Sequence, residues 1–496
     1  MSRVLFINPT VRAEDVPRHV PYGIALLAAI AMQKGHQVQV YDQNAWRHGQ
    51  EVLESVLKAD DWEVIALGGI TTAYGAIKGI VQVARDLCPR AVIVLGGGVL
   101  TSIPQDIMGF LPQVDVGVVG EAFETFPEIL AMVDSGKSDW KEIDGTISRQ
   151  GLSPKRKLIH DLDSLPYPAW DLFPLEEVYF PNSQVLFSEE GMLARRRLDI
   201  NASYGCSLIC RYCYHLGIAG DMRYDGERVA FDEPGNHTRV IRMHSPGYVV
   251  KLVKHMHEKY RIDFIGFLDE NLMTMNTSSK GTWLKAICEG FISEGIVPTC
   301  VRDGVEHDEH CRGVHWSGTS HATLCNPDIL KLMRQAGCSH LVYGYESFSP
   351  HVMKTIGKGA TPTSNERSFF WTLQAGIRPI PNQIIGFPVE DFASIYQNMD
   401  AWKRLGIVVK PFFATPYPGS EWFTVYRGKI LEQYDGDLEA YLLDLGDATK
   451  ITAVISENFN AVELLGLREA MVNFDYKHIR EYERSREGVR HEQCTV

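Results

Sequence analysis

Along residues 1–148 short continuous apolar runs alternate with longer stretches whose apolar positions recur three and four residues apart. Val4–Asn8, Gln37–Asp42, Val64–Leu67, Ala91–Leu95 and Asp115–Val119 read as strands, and Gly23–Lys34 as an apolar helix. This alternation predicts an α/β fold with a doubly wound parallel sheet. Three of the strands run into glycine-rich turns: Gly68-Gly69-Ile70-Thr71-Thr72, Gly96-Gly97-Gly98 and Gly120-Glu121. Ligands of such sheets bind beyond the carboxyl ends of the strands, and glycine lets a flat group approach the backbone closely.

The alternation breaks over residues 149–192, where Leu165-Pro166-Tyr167-Pro168 reads as an extended connector. It resumes over residues 193–421. Leu198–Ser203, Asp263–Leu268, Ser339–Gly344, Asn382–Ile385 and Val408–Ala414 read as strands, with helices at Tyr248–Lys259, Trp283–Gly295, Pro327–Ala336 and Ser364–Ala375. A parallel βα series places functional groups at strand carboxyl ends, where Asp269, Glu270 and Glu346 stand. Carboxylates there can accept hydrogen bonds from an ammonium group or from ribose hydroxyls. Residues 422–496 hold helical patterns and a charged tail, which predicts a small helical cap over the open side of this second unit.

The densest chemistry lies near the start of the second unit. Cys206, Cys210 and Cys213 are spaced Cys-x3-Cys-x2-Cys, with the aromatic Tyr212 before the last. Three thiolates on one short turn can hold three irons of a 4Fe–4S cube and leave the fourth open. Zinc would require a fourth ligand, and His215 stands too near Cys213 to supply it comfortably. Charge and composition narrow the rest. A net charge of −13 disfavours nucleic-acid binding. Apolar runs fall short of the ~20 residues a membrane span needs. Ten cysteines in 496 residues are no disulfide framework, and the chain opens directly on a strand, which leads us to expect a cytoplasmic protein.

The cysteine motif with its aromatic resembles the radical S-adenosylmethionine (SAM) superfamily. In that family the open iron chelates SAM, and an electron from the cluster cleaves it to a 5′-deoxyadenosyl radical. The order of glycine turns resembles the cobalamin-binding domain that precedes many radical SAM domains. The resemblance implies a cobalamin-binding domain at 1–148, a linker at 149–192, a six-strand partial (β/α)6 barrel at 193–421 and a helical C-terminal part at 422–496. It implies three cofactors: a 4Fe–4S cluster on Cys206, Cys210 and Cys213, SAM, and cobalamin. For cobalamin it implies contacts at Gly69, Thr71, Thr72, Gly96, Gly97, Gly98, Gly120 and Glu121. For SAM it implies Tyr212, Asp269, Glu270, Glu346, Ile384 and Gly386. The turn Asn8–Arg12 lacks the histidine that ligates cobalt in many cobalamin domains, and nearby His19 reads as structural.

By resemblance the activity is methyl transfer to an unactivated carbon of a small molecule or a protein, with an electron donor such as ferredoxin or flavodoxin. The chain also looks similar to methanogen enzymes that C-methylate a glutamine of methyl-coenzyme M reductase. Gly-Tyr-Glu-Ser and Pro-Tyr-Pro-Gly-Ser resemble the anaerobic magnesium-protoporphyrin ester cyclase branch instead. A non-catalytic cobalamin-binding sensor or carrier with a structural cluster is a third alternative. One segment, Cys300 to Cys311 with His307 and His310, and His315 and His321 beyond, fits none of these. Cys and His clusters can bind metal, which keeps a second metal site open; the segment's spacing is no standard zinc motif, and the favoured reading is an acidic, His-rich insertion near the barrel mouth.

Overall fold

The computed structural model describes residues 1–208, 210–214, 223–225, 228–230 and 240–493, with side chains described outside 215–239 and 487–496. His215 and Cys494 lie outside the described side chains.

The N-terminal sheet has seven strands. Arg3–Asn8 pairs in parallel with both Gln37–Asp42 and Val64–Gly68, and Val92–Gly96 and Val116–Val118 extend the parallel series. Two short antiparallel strands, Thr146–Ser148 and Gly151–Leu152, close the far edge and were not legible as strands. Alternate residues of the strands feed two separate cores. Val4, Phe6, Ala66, Val94 and Val118 face one side, and Leu5, Ile7, Ile65, Leu67 and Leu95 face the other. The order reverses next to Arg3–Asn8, which makes that edge the switch point of the sheet.

The second sheet has six strands, all parallel and in chain order: Arg197–Ile200, Phe264–Phe267, His315–Ser320, Cys338–Glu346, Arg378–Ile385 and Phe412–Phe413. Several surrounding helices start on strong local signals. Ser245, Asn326 and Thr361 each cap a helix whose next residue is proline, Pro246, Pro327 or Pro362. The cap side chain satisfies a free N–H, and proline needs none. The third strand corrects our expectation for the His-rich segment. His315–Ser320 is a buried central strand that the polar sequence His-Trp-Ser-Gly-Thr-Ser disguises. The last strand is much shorter than Val408–Ala414 suggested.

The C-terminal helices also correct an expectation. They are not a cap confined to the barrel. Phe423, Ile430, Leu438, Tyr441 and Leu442 join the core of the N-terminal domain, whereas Leu464, Leu467 and Met471 join the barrel core. Tyr74 and Lys78 both reach Glu439, at 2.5 and 2.6 Å. The segment is a brace spanning both units. Tyr476 stacks on Tyr396 and donates to Asp400.

Candidate active site

A cavity of about 380 Å³ opens at the switch point of the first sheet. Gly69, Gly96, Gly97 and Gly98 line it, together with Phe6, Ile24, Leu27, Val94, Val118 and Phe126 of the apolar face. The glycines serve the chain first. Gly97 has φ +80°, and a Cβ there would lie 2.8 Å from both the N and O of Gly69. Two turns touch backbone to backbone and leave room above them. Thr71, Thr72, Gly120 and Glu121 are not among the lining residues. Thr71 is buried, and Thr72 Oγ1 is buried without a hydrogen-bond partner. The Gly120 N–H donates to Thr101 Oγ1 at 3.0 Å. Glu121 forms an ion pair with buried Arg242 of the second unit, one of its bonds being 2.9 Å.

The cavity suits a flat, largely apolar group with polar appendages. Its lining contains no histidine, cysteine or carboxylate among the described residues. His19 is bound elsewhere, its Nδ1 lying 2.5 Å from Asp199 Oδ2 on the first barrel strand. Burial opposes the charge of Asp199, but Arg197 and His19 hold its carboxyl down at about 2.

The carboxyl ends of the barrel strands hold the second constellation. Cys206, Cys210 and Cys213 form no disulfide and are half-buried. Their loop enters through Gly205, at φ +97°, where a Cβ would meet the Val240 carbonyl. The Gly205 N–H donates to Glu270 Oε2 at 3.2 Å. Arg211 fastens the far side of the loop through its Nε bond to Glu421, at 2.6 Å. Tyr212 packs its ring on Phe387 and Trp422, with centroids 6.0 and 5.7 Å away.

The Tyr212 hydroxyl donates to Glu346 Oε1 at 2.8 Å, and Lys358 Nζ reaches the same oxygen at 2.6 Å. Glu346 takes φ +58° at a register shift that ends its strand, an uncommon conformation for a residue with a side chain. Such strain persists only where surrounding contacts enforce it. Burial works against the Lys358 ammonium, yet Glu346, Cys210 and Cys213 hold its pKa above the usual range. Burial pushes the Cys210 thiol up, and Lys358 opposes that. Sequence reasoning missed Lys358. Its one signal is the Gly357-Lys358-Gly359 turn after a short helix.

The remaining expected residues divide. Asp269 is bonded to the chain itself: it accepts the Ala202 N–H at 3.2 Å and pairs with Ser203 Oγ. Burial lifts its carboxyl to about 7. Ile384 belongs to the apolar cluster around Tyr212 and Trp422. Gly386, at φ +92°, donates its N–H to buried Glu390 at 2.6 Å.

The two constellations meet edge to edge. Phe123, two residues past Glu121, lies edge-on to Tyr204, with centroids 5.8 Å apart. Gly419, just beyond the last barrel strand, abuts Ser102 at the end of the helix that follows Gly97. The carboxyl edge of each sheet therefore faces the other across one interface.

Residues 9–130 match the B12 binding domain family and residues 200–401 the radical SAM superfamily. The chain belongs to the cobalamin-dependent radical SAM enzymes. A relative described as an uncharacterized methyltransferase, from Pyrococcus horikoshii, is 25% identical over 81% of this chain and 77% of its own. The anaerobic magnesium-protoporphyrin IX monomethyl ester cyclase of Synechocystis is 23% identical over 78% of this chain and 69% of its own. Among solved structures, the radical SAM methyltransferase TsrM of Kitasatospora setae, with cobalamin and a 4Fe–4S cluster bound, superposes with a TM-score of 0.64. That match covers 87% of this chain and 76% of TsrM at 15% identity, which is a likeness of fold. The cofactors of this enzyme are accordingly a 4Fe–4S cluster, SAM and cobalamin. The three loop thiols and the glycine-rimmed cavity fit the first and the last.

Proposed function

We propose that this chain is a methyltransferase acting on an unactivated carbon, with both cofactor sites opening on one shared space. The observation that carries this reading is the meeting of the two carboxyl edges: Phe123 against Tyr204, Ser102 against Gly419, and Glu121 paired with Arg242. Bound there, the cofactors supply a 5′-deoxyadenosyl radical from reductive cleavage of SAM and a methyl group carried on cobalt.

The chain's own residues hold and orient. Cys206, Cys210 and Cys213 hold three irons of the cluster. Glu270, whose carboxylate already fastens Gly205 beside the motif, accepts the SAM ammonium. Glu346, Tyr212 and Lys358 fix the loop, and Glu346 meets the ribose. Ile384 and Gly386 shape the adenine side. Gly69 and Gly96–Gly98 admit the corrin's appendages. The lining of the first cavity would offer cobalamin no histidine, cysteine or carboxylate among the described residues. The brace of residues 421–472 keeps the two edges in register and helps exclude water.

A ferredoxin or flavodoxin is the fitting electron donor. No helix among the described residues is long and apolar enough to cross a membrane. A protein glutamine side chain is the finer substrate reading, supported by the sequence resemblance alone. The test is anaerobic reconstitution with iron, sulfide and cobalamin, followed by product analysis against candidate peptides. Methylated product with S-adenosylhomocysteine and 5′-deoxyadenosine supports the reading. Oxidised product without methyl gain would favour the cyclase chemistry of relatives such as the Synechocystis enzyme. No SAM cleavage would leave a carrier.

A further inference from the structure

The segment that fits no part of the cofactor sites folds into a cluster at the opposite end of the barrel. Cys300 lies on the short helix Thr299–Asp303, His307 and Cys311 on the following loop, and His315 is the first residue of the third strand. One ligand atom from each of the four lies within 4.8 Å of all the others. The gaps of six, three and three residues match no familiar zinc spacing, which hid the set. His310, the other histidine of the segment, is exposed and turns its ring toward Glu309.

Among Cys300, His307 and His315 the separations are those of a tetrahedral site. Zinc bonds of about 2.0–2.1 Å to nitrogen and about 2.3 Å to sulfur set ligand separations near ~3.3 Å for N···N, ~3.6 Å for N···S and ~3.8 Å for S···S. His307 Nδ1 and His315 Nε2 are 3.3 Å apart. Cys300 Sγ lies 3.4 Å from the first and 3.5 Å from the second. Cys311 Sγ is 3.0 Å from Cys300 Sγ, closer than a shared metal would hold it, so it moves outward by less than about 1 Å on binding.

The surroundings support ligand roles. His315 presents Nδ1 to the Gly337 carbonyl at 3.3 Å, which leaves Nε2 with its lone pair for a metal. The Cys300 N–H and Thr299 Oγ1 both point at Cys311 Sγ, at 3.4 and 3.6 Å, as donors to a thiolate do. A cleft of about 320 Å³, with Asp263 and Glu190 among its lining, gives a cation access to His307, Cys311 and His315. We propose that Cys300, His307, Cys311 and His315 bind one structural zinc ion that staples the 300–315 segment to the amino end of the central barrel strand.

Four protein ligands leave no open position, so the ion is structural. The strand His315–Ser320 separates it from the carboxyl-edge chemistry by on the order of 15 Å. Loading of this site is therefore independent of the cluster cysteines.

The test is metal analysis of the full chain purified anaerobically. About one zinc per chain is expected, retained when Cys206→Ala, Cys210→Ala and Cys213→Ala together abolish iron binding. His307→Ala and Cys311→Ser should each weaken zinc binding by at least about tenfold in a zinc buffer. Cobalt(II) exchanged into the wild-type chain should show tetrahedral ligand-field bands and thiolate charge-transfer absorption, a readout that holds even if a variant fails to fold. Zinc content indifferent to both substitutions, an octahedral cobalt spectrum, or a Cys300–Cys311 disulfide in the isolated protein would overturn the assignment.

Discussion

The phenol of Tyr212 donates to Glu346 at 2.8 Å, joining the cysteine loop to a strand end 134 residues further along the chain. Lys358 closes the group, 2.6 Å from the same carboxylate oxygen and 3.2 Å from the phenol oxygen. All three side chains are buried or half-buried, so a charged pair sits beside the cysteine loop. The strand-end carboxylate thus has a positioning duty in addition to any contact with SAM.

Lys358→Met should leave Glu346 as an uncompensated buried charge and destabilise the protein by about 3–5 kcal/mol. The double variant Lys358→Met with Glu346→Gln should recover much of that loss. Removing a positive charge beside the cluster should also lower its reduction potential. Anaerobic denaturation and a redox titration of the two variants check both outcomes; equal stability of the single and double variants would refute the pairing.

Arg242→Ala removes the buried partner of Glu121 and the donor to the Ile159 carbonyl, at 2.7 Å. The expected cost is again about 3–5 kcal/mol. Because this pair ties the two edges together, the variant should become more susceptible to limited proteolysis between the domains. It should also lose methyl transfer more than SAM cleavage, as measured by the ratio of methylated product to 5′-deoxyadenosine.

Gly97→Ala must force a Cβ to within 2.8 Å of Gly69 backbone atoms at a φ of +80°. Destabilisation beyond about 1 kcal/mol is expected. Cobalamin content, read by absorbance after reconstitution, should fall while iron content holds.

Glu390 is fully buried, with Oε2 on the Gly386 N–H and Oε1 without a partner. Burial raises its carboxyl from 4.5 to about 8. Across that window the folded chain keeps a proton that the unfolded chain has released, so stability falls as pH rises. Asp269, raised from 3.8 to about 7, acts in the same direction. The midpoint of thermal unfolding should therefore decline from about pH 5 to about pH 9, and Glu390→Gln should flatten the upper part of the decline. A profile identical to wild type would show that Glu390 is not the group responsible.

What the sequence determined by itself is local. The strand Gln37–Asp42 was legible to the residue, and the helix Pro327–Gln335 to within one, because apolar periodicity and caps act within a few neighbours. Cys206, Cys210 and Cys213 were legible because one short loop carries all three. The strand His315–Ser320 was not, since barrel packing rather than its own polar residues buries it. Contacts set by packing at long separation stayed hidden for the same reason. Neither Arg242 against Glu121, nor Lys358 against Glu346, nor His19 against Asp199 leaves a periodic trace in the chain. Only the tertiary structure decided that the C-terminal helices brace both domains, and that two cysteines and two histidines meet at the base of the barrel. Those outcomes depend on where whole sheets and helices come to rest, which no short stretch of sequence encodes.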